Sequence, residues 1–148
     1  NDGNKNHLSD KGMGSLQAMV LILKVASLIK INKKEKKALT LLVEEPELNL
    51  HPALQSKLTD FFHEVNKEYG FNFIVETHSE YMIRKSQALV NENEYGDQDS
   101  LNPNLFKTFY FPVSDIPYEM RYRKDGKFMD EFKKGFFEVS SDLAFDIL

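Results

Sequence analysis

The sequence predicts an α/β fold in which helices flank a small parallel sheet, on the basis of three observations. Two short, continuous apolar runs, at residues 39–43 and 71–76, are typical of strands buried in a parallel sheet. Between them, apolar residues recur at helical spacing from Pro52, which suits a first helical turn, to Gly70, which suits a helix end. Strand, crossover helix and strand form a βαβ unit, so both strands should end at the same sheet edge.

A first helix is predicted from the apolar run at residues 16–31, which follows the N-cap residue Ser15. The run is apolar on nearly every helical face, which indicates burial between other layers. It is shorter than a membrane span and contains polar residues, so we expect no membrane insertion. The charged segment at residues 30–37 is expected to end this helix.

Further elements are expected after the second strand. Thr77 and Glu80 have the spacing of a capping box that opens a third helix. Residues 105–113 are predicted as a strand, residues 118–129 as a hairpin around Asp125 and Gly126, and residues 140–148 as a short helix. We therefore expect a single domain, with its main part at residues 1–112 and a C-terminal appendage of the same domain at residues 113–148.

Composition narrows the class of protein. The chain has no cysteine, which excludes disulfides and thiolate metal sites, and nothing near Asn1 resembles a secretion signal. A formal net charge of −4 argues against a globally basic nucleic-acid-binding protein. These features predict a cytoplasmic protein.

Acidic residues directly follow the first predicted strand. Glu44 and Glu45 would lie at the carboxyl edge of the sheet, where one carboxylate can hold Mg²⁺ and its neighbour can polarise an attacking water. The βαβ geometry brings His78 to the same edge, where an imidazole can hydrogen-bond a phosphate or that water. Taken singly, the glutamates fit a solvated loop and His78 fits a structural histidine, but their shared edge favours the chemical interpretation.

Small residues precede the first predicted helix, in the order Gly12, Met13, Gly14, Ser15. The free backbone N–H groups and the positive dipole end of such a helix suit a phosphate, and glycines let the backbone approach closely. A flexible lead-in to a capped helix is the alternative interpretation.

In this order, the three groups of residues resemble the later half of an ATP-binding-cassette (ABC) ATPase. The stretch from Leu8 to Gln17 resembles a divergent signature motif, residues 39–45 resemble Walker B, and residues 77–79 resemble the switch-histidine loop. The string VEEPELNLHP at residues 43–52 is similar to a pattern of RecF-like and overcoming-lysogenization-defect-like ATPases. The resemblance covers about residues 8–90.

The resemblance implies a partial P-loop NTPase fold, with an ABC-ATPase-like parallel sheet and flanking helices. It also implies that Glu44 helps to hold Mg²⁺, that Glu45 orients or activates the hydrolytic water, and that His78 senses the γ-phosphate of ATP. The other candidate residues would contact nucleotide or partner in a sandwich of two heads: Gly12, Gly14, Ser15, Gln17, Asn49 and His51. His51 has a second, equally weighted interpretation as a plain helix-start residue.

The sequence departs from the family pattern at the phosphate-binding loop. No GxxxxGK[ST] motif occurs in the 148 residues, so the Walker A loop that cradles the β- and γ-phosphates is absent from this sequence. We therefore expect the isolated chain to bind MgATP poorly and to hydrolyse none.

The expected function is that of an ATP-binding and ATP-hydrolysing head of a RecF/SMC-like ATPase, acting as a nucleotide-driven dimerisation switch in DNA repair or phage defence. Its partners would be a second head and, beyond it, DNA or an associated effector nuclease. One alternative is a non-catalytic module for dimerisation or partner docking. The lowest-ranked alternative is a metal nuclease built on Glu44, Glu45, Glu47, His51 and His78. The lysine-rich segment at residues 30–37 either contacts phosphate backbones or is a solvated loop.

Overall fold

A computed structural model describes residues 12–35, 37–95, 105–133 and 136. The chain divides into two compact units, Asn1–Met82 and Ile83–Leu148, with the division inside a helix. We call them unit 1 and unit 2. The sequence-based division after residue 112 stays a prediction.

Unit 1 contains the predicted βαβ arrangement. Helix α1 spans Met13–Glu35, strand β1 spans Thr40–Glu44, helix α2 spans Pro52–Tyr69 and strand β2 spans Asn72–Glu76. Helix α3, Glu80–Tyr95, begins in this unit and continues into unit 2. The two strands pair in parallel and in register from Thr40 with Asn72 to Glu44 with Glu76. The α/β class, the parallel sheet and the shared carboxyl edge are therefore confirmed.

The ends of α2 follow the residues that predicted them. Pro52 occupies the first turn, where its missing N–H would have no helical partner. Gly70 ends the helix in a left-handed conformation, φ 68°, and its N–H donates to the Asn66 carbonyl.

The core of unit 1 lies between the helices and one face of the sheet. Leu41 and Val43 of β1 and Phe73 of β2 point to this face and pack on two clusters of buried side chains. The first cluster contains Leu50, Leu58, Phe62 and Met82, and the second contains Val25, Val65 and Phe71.

The opposite face of the sheet differs from the expectation of burial on both sides. Leu42 is 71% exposed and Ile74, its register partner, is 57% exposed. Among the described residues, helices pack on one face of this sheet only, so alternate strand residues remain in solvent.

Helix α1 corrects three expectations. It begins at Met13, so Ser15 lies in its first turn rather than at its N-cap, and it continues through the charged residues to Glu35. It is also mostly exposed: Val25 is 1% exposed and faces the core, whereas Val20 and Ile31 are more than half exposed. The helix is apolar all round, but one neighbouring layer can cover only one of its faces.

The length of α1 also overturns an argument made from the shorter apolar run. The segment Met13–Lys33 is long and apolar enough to cross a membrane, with a mean hydropathy of 1.6. By length and composition this segment meets the criteria for a membrane span, which the core helices of soluble proteins also meet.

Unit 2 contains a short antiparallel sheet and a hairpin. Strand β3 spans Thr108–Tyr110, shorter than the predicted 105–113, and pairs with β4, Tyr118–Met120. The predicted hairpin around Gly126 is confirmed by a bridge between Tyr122 and Phe128 and by a bond from the Arg123 N–H to the Lys127 carbonyl. The predicted helix at residues 140–148 lies outside the described residues.

Aromatic rings and one hydroxyl network stabilise unit 2. Tyr110 contacts Tyr118 and Phe132 edge-on, with ring centroids 5.6 and 5.1 Å apart. The Tyr122 hydroxyl lies 2.8 Å from the Ser86 hydroxyl and 2.7 Å from the Thr108 hydroxyl. Burial raises the pKa of Tyr122 above its usual value, against the opposite effect of these two hydrogen bonds.

Candidate functional site

The candidate site lies at the carboxyl edge of the unit 1 sheet. Glu44 is the last residue of β1 and is exposed on the uncovered face, beside its register partner Glu76 of β2. The ladder extends one residue further, because the Glu45 N–H donates to the Glu76 carbonyl at 2.9 Å. At Glu45 the backbone then turns into a left-handed conformation, φ 42°, which non-glycine residues rarely adopt. Strand pairing therefore ends at Glu45, where the chain enters the loop after β1.

Glu45 and His78 come together across the two loops at this edge. His78 Nε2 lies 3.4 Å from Glu45 Oε1. Both side chains remain accessible, at 71% exposure for His78 and 40% for Glu45. An accessible carboxylate beside an accessible imidazole can share a proton and can both contact one small polar ligand.

Glu47, two residues beyond Glu45, connects the same two loops from inside the protein. Its residue exposure is 7%, and its Oε1 accepts hydrogen bonds from the Thr77 hydroxyl and from the His78 N–H, both at 2.7 Å. Its Oε2 is buried with no hydrogen-bond partner among the described residues. Glu47 therefore fixes the backbone of the loop that carries His78.

The loop after β2 ends in a helix cap that differs from the predicted capping box. Helix α3 begins at Glu80, and the Ser79 hydroxyl accepts a hydrogen bond from the Met82 N–H at 3.2 Å, so Ser79 is the N-cap. Thr77 instead accepts from the Ser79 N–H within the loop. The Ser79 hydroxyl also donates to Gln55 at 2.6 Å, which links the loop after β2 to helix α2.

The loop after β1 is a run of tight turns that contains two candidate residues. Asn49 has a left-handed conformation, φ 59°, and its side chain is exposed. His51 is the N-cap of α2, and its Nδ1 accepts from the Ala53 N–H at 3.3 Å. The helix-start interpretation of His51 is therefore confirmed, and its contact with a partner stays a prediction.

The start of α1 packs against this loop. Gly14 is buried, and a Cβ atom at this position would overlap the Asn49 carbonyl and lie 2.9 Å from the Leu50 nitrogen. Gly12 precedes the helix with φ 76°. Ser15 and Gln17 are both exposed. The Leu16 N–H donates to the Gly12 carbonyl at 3.4 Å, so the N–H groups that lack a helical partner are those that precede Leu16.

Three pairs of residues thus meet in unit 1: Glu45 with His78, Glu44 with Glu76, and Gly14 with Asn49. Sequence reasoning assigned no role to Glu76 and placed Glu47 only in the lowest-ranked alternative. Glu76 could have been found from the sequence, because it ends the second predicted strand just as Glu44 follows the first. The residues of the described ranges contain no group of three or more His, Asp or Glu that could hold a metal ion alone.

Comparison with known proteins addresses the family. A family model described as an AAA ATPase domain matches residues 1–83, which include α1, the βαβ unit and the loop with His78. No curated protein and no solved structure matches the chain. The match covers more than half of the sequence and all the candidate residues named above, and it supports an ATPase-type function with use of a nucleotide. The chain therefore belongs to the AAA ATPase domain family.

Proposed function

We propose that this chain supplies the hydrolytic edge of an ATP-driven head of the RecF/SMC-like kind, and that Glu45 and His78 perform the chemistry there. The observation that carries the proposal is the 3.4 Å approach of His78 Nε2 to Glu45 Oε1 at an accessible sheet edge. The carboxyl edge of a parallel sheet is where open α/β folds bind their ligands.

Glu45 acts on the attacking water. Its carboxylate accepts a hydrogen bond from the water, aligns the water oxygen with the γ-phosphorus and receives the proton as the new P–O bond forms. The bond from the γ-phosphorus to the bridging oxygen breaks, and ADP leaves. His78 donates from Nε2 to a γ-phosphate oxygen, and its position beside Glu45 lets it detect whether the γ-phosphate is present.

Glu44 is the proposed Mg²⁺ ligand, with Glu76 beside it. Like charges on neighbouring strands repel, and a bound cation relieves that repulsion. Mg²⁺ binds through one or two carboxylates together with waters and substrate phosphates, so two exposed carboxylates fit its usual protein contribution. When bound, the ion neutralises charge on the phosphate oxygens.

The start of α1 is the proposed surface for the nucleotide of a second head. The N–H groups that precede Leu16 in the first turn favour an anion, and the exposed Ser15 lies among them, with the exposed Gln17 two residues further on. Asn49, on the loop that Gly14 contacts, would face the same partner. Nucleotide would then join two heads, and hydrolysis would release them. We propose that this switch serves DNA repair or phage defence, and that DNA or an effector nuclease responds to the joined state.

ATP turnover by the full-length natural protein tests this proposal, with Glu45→Gln as the variant and Glu64→Gln as the matched control on the exposed side of α2. We expect Glu45→Gln to lower kcat by about 10²–10⁴-fold with ATP binding retained, because it removes the proton acceptor. Glu64→Gln should keep the wild-type rate. Equal rates in the Glu45→Gln and wild-type proteins would reject the role of Glu45.

The 148-residue chain provides a second test, because it lacks the GxxxxGK[ST] motif. Calorimetric titration with MgATP should give only weak binding, since the loop that cradles the β- and γ-phosphates is not in this sequence. Micromolar binding of MgATP would contradict the proposal that tight binding requires the GxxxxGK[ST] loop. The non-catalytic docking module remains the second candidate, and a full-length protein with neither turnover nor nucleotide binding would favour it.

A further inference from the structure

Glu47 has a buried carboxylate to which the proposed mechanism assigns no role. Its Oε1 receives the His78 backbone N–H and the Thr77 hydroxyl at the same distance, 2.7 Å. These donors lie about thirty residues further along the chain, on the loop after β2. Such contacts to a carboxylate are short and strong compared with bonds between neutral groups.

We propose that Glu47 is a positioning residue, which holds the His78 loop so that the imidazole faces Glu45. This inference rests on the proposed function, because a role in positioning has meaning only if His78 and Glu45 act together. Glu47 itself is 7% exposed and does not contact substrate in this scheme.

One short turn places both carboxylates. The Leu48 N–H donates to the Glu45 carbonyl at 3.1 Å, so Glu45 and Glu47 belong to a single hydrogen-bonded turn. Glu45 faces the imidazole of His78, while Glu47 holds the backbone of the same residue. The bond between Glu47 and the His78 N–H therefore ties the two loops together. If this bond were lost, either loop could move alone and change the 3.4 Å distance between His78 Nε2 and Glu45 Oε1.

Stability alone is a poor account of a glutamate at this position. Its Oε2 is buried without a hydrogen-bond partner among the described residues, and burying a carboxylate oxygen in this way is unfavourable. Both donors to Oε1 are neutral groups, so neither of them offsets the charge of a buried carboxylate. The side chain does fix one backbone N–H and one hydroxyl in the loop that carries His78.

The reach and the charge of Glu47 can be separated by two substitutions. Glu47→Gln keeps the carbonyl oxygen at the same distance and can accept both hydrogen bonds. Glu47→Asp keeps the charge but is one methylene shorter, so its carboxylate withdraws from both donors. If Glu47 acts by position, the glutamine variant keeps most of the activity and the aspartate variant loses it.

The experiment is steady-state ATP turnover by the full-length protein for Glu47→Ala, Glu47→Asp and Glu47→Gln, each alone and combined with His78→Ala. We expect Glu47→Ala and Glu47→Asp to lower kcat by on the order of 10²-fold with KM for ATP nearly unchanged, since small misplacement of a reacting group costs about this much. In the His78→Ala background the same substitutions should lower kcat little further.

The outcomes separate the two proposals. Additive losses in the His78→Ala background, or a glutamine variant as slow as the alanine variant, would overturn the positioning role while the ATPase function stood. A wild-type protein without turnover would instead reject the proposed function. Circular dichroism identifies any variant that does not fold, and the comparison between the glutamine and aspartate variants then decides without Glu47→Ala.

Discussion

Glu47 in unit 1 and Asp130 in unit 2 are carboxylates that each accept a backbone N–H, but their surroundings differ. Asp130 Oδ2 accepts from the Arg121 N–H at 2.9 Å, and its Oδ1 accepts from the Arg121 guanidinium at 2.7 Å. Both donors belong to one residue, nine positions away on the same hairpin. Glu47 accepts from two neutral donors on a distant loop, and within the described part of the chain its second oxygen has no hydrogen-bond partner.

The difference separates a local stabilising contact from a positional one. The guanidinium compensates the charge of Asp130, and both carboxylate oxygens accept hydrogen bonds from Arg121. The pair therefore stabilises the hairpin. The two donors to Glu47 carry no such charge, and they belong to the loop of a candidate active-site residue. Changes in unit 1 near this loop should therefore alter ATP turnover, whereas changes in the unit 2 hairpin should alter stability alone.

The largest effect on stability is expected for Gly14→Ala in unit 1. The added Cβ would overlap the Asn49 carbonyl, and forcing extra atoms into a packed contact costs about 1–3 kcal/mol. Urea unfolding measures this loss in the chain, and Ser15→Ala, at the exposed neighbouring position, is the control. Turnover by the full-length protein should fall as well, because Asn49 lies on the loop of Glu47. A Gly14→Ala protein with wild-type stability and turnover would show that the contact between Gly14 and Asn49 is not required in unit 1.

A smaller effect is expected for Tyr122→Phe in unit 2. The variant loses the hydroxyl that bonds to Ser86 and Thr108, and a lost hydrogen bond of this kind costs about 1 kcal/mol. Hydrogen exchange should become faster at the β3 and β4 amides and stay unchanged at β1 and β2. ATP turnover should stay at the wild-type level. If ATP turnover fell while hydrogen exchange at the β1 and β2 amides stayed unchanged, unit 2 would contribute to the chemistry.

The smallest effect is expected from the titration of Asp130. Hydrogen bonds from Arg121 lower the pKa of Asp130 from 3.8 to about 2 in the folded chain. Between these values the unfolded chain binds a proton that the folded chain does not, so stability falls as the pH falls from 3.8 towards about 2. Urea midpoints for wild type and Asp130→Asn should therefore converge across this range. A constant difference between the two would show that Asp130 is not held by Arg121.

The sequence predicted the βαβ unit well because its signals are local. Apolar runs, Pro52 and Gly70 located both strands and α2 to within a residue or two, and parallel pairing followed from the crossover connection. The same connection brought Glu45 and His78 to one edge, and the structure finds them 3.4 Å apart.

The features that sequence reasoning missed depend on distant parts of the chain. The hydrogen bond from the His78 N–H to Glu47 requires two loops to meet, and no spacing in either loop encodes it. The exposure of α1 was missed for a related reason, because the residues of a helix do not specify how many layers cover it. The capping box was wrong because Ser79, two residues after Thr77, competes for the same helix start.

The backbone at Glu45 carries a consequence for engineering. A left-handed conformation, φ 42°, suits glycine or asparagine better than glutamate, so the position stores local strain. A screen that selects only for resistance to heat would favour replacement of Glu45 by glycine, and would thereby remove the carboxylate proposed to act on water. Thermostabilised versions of this protein should therefore be chosen with this one position held constant.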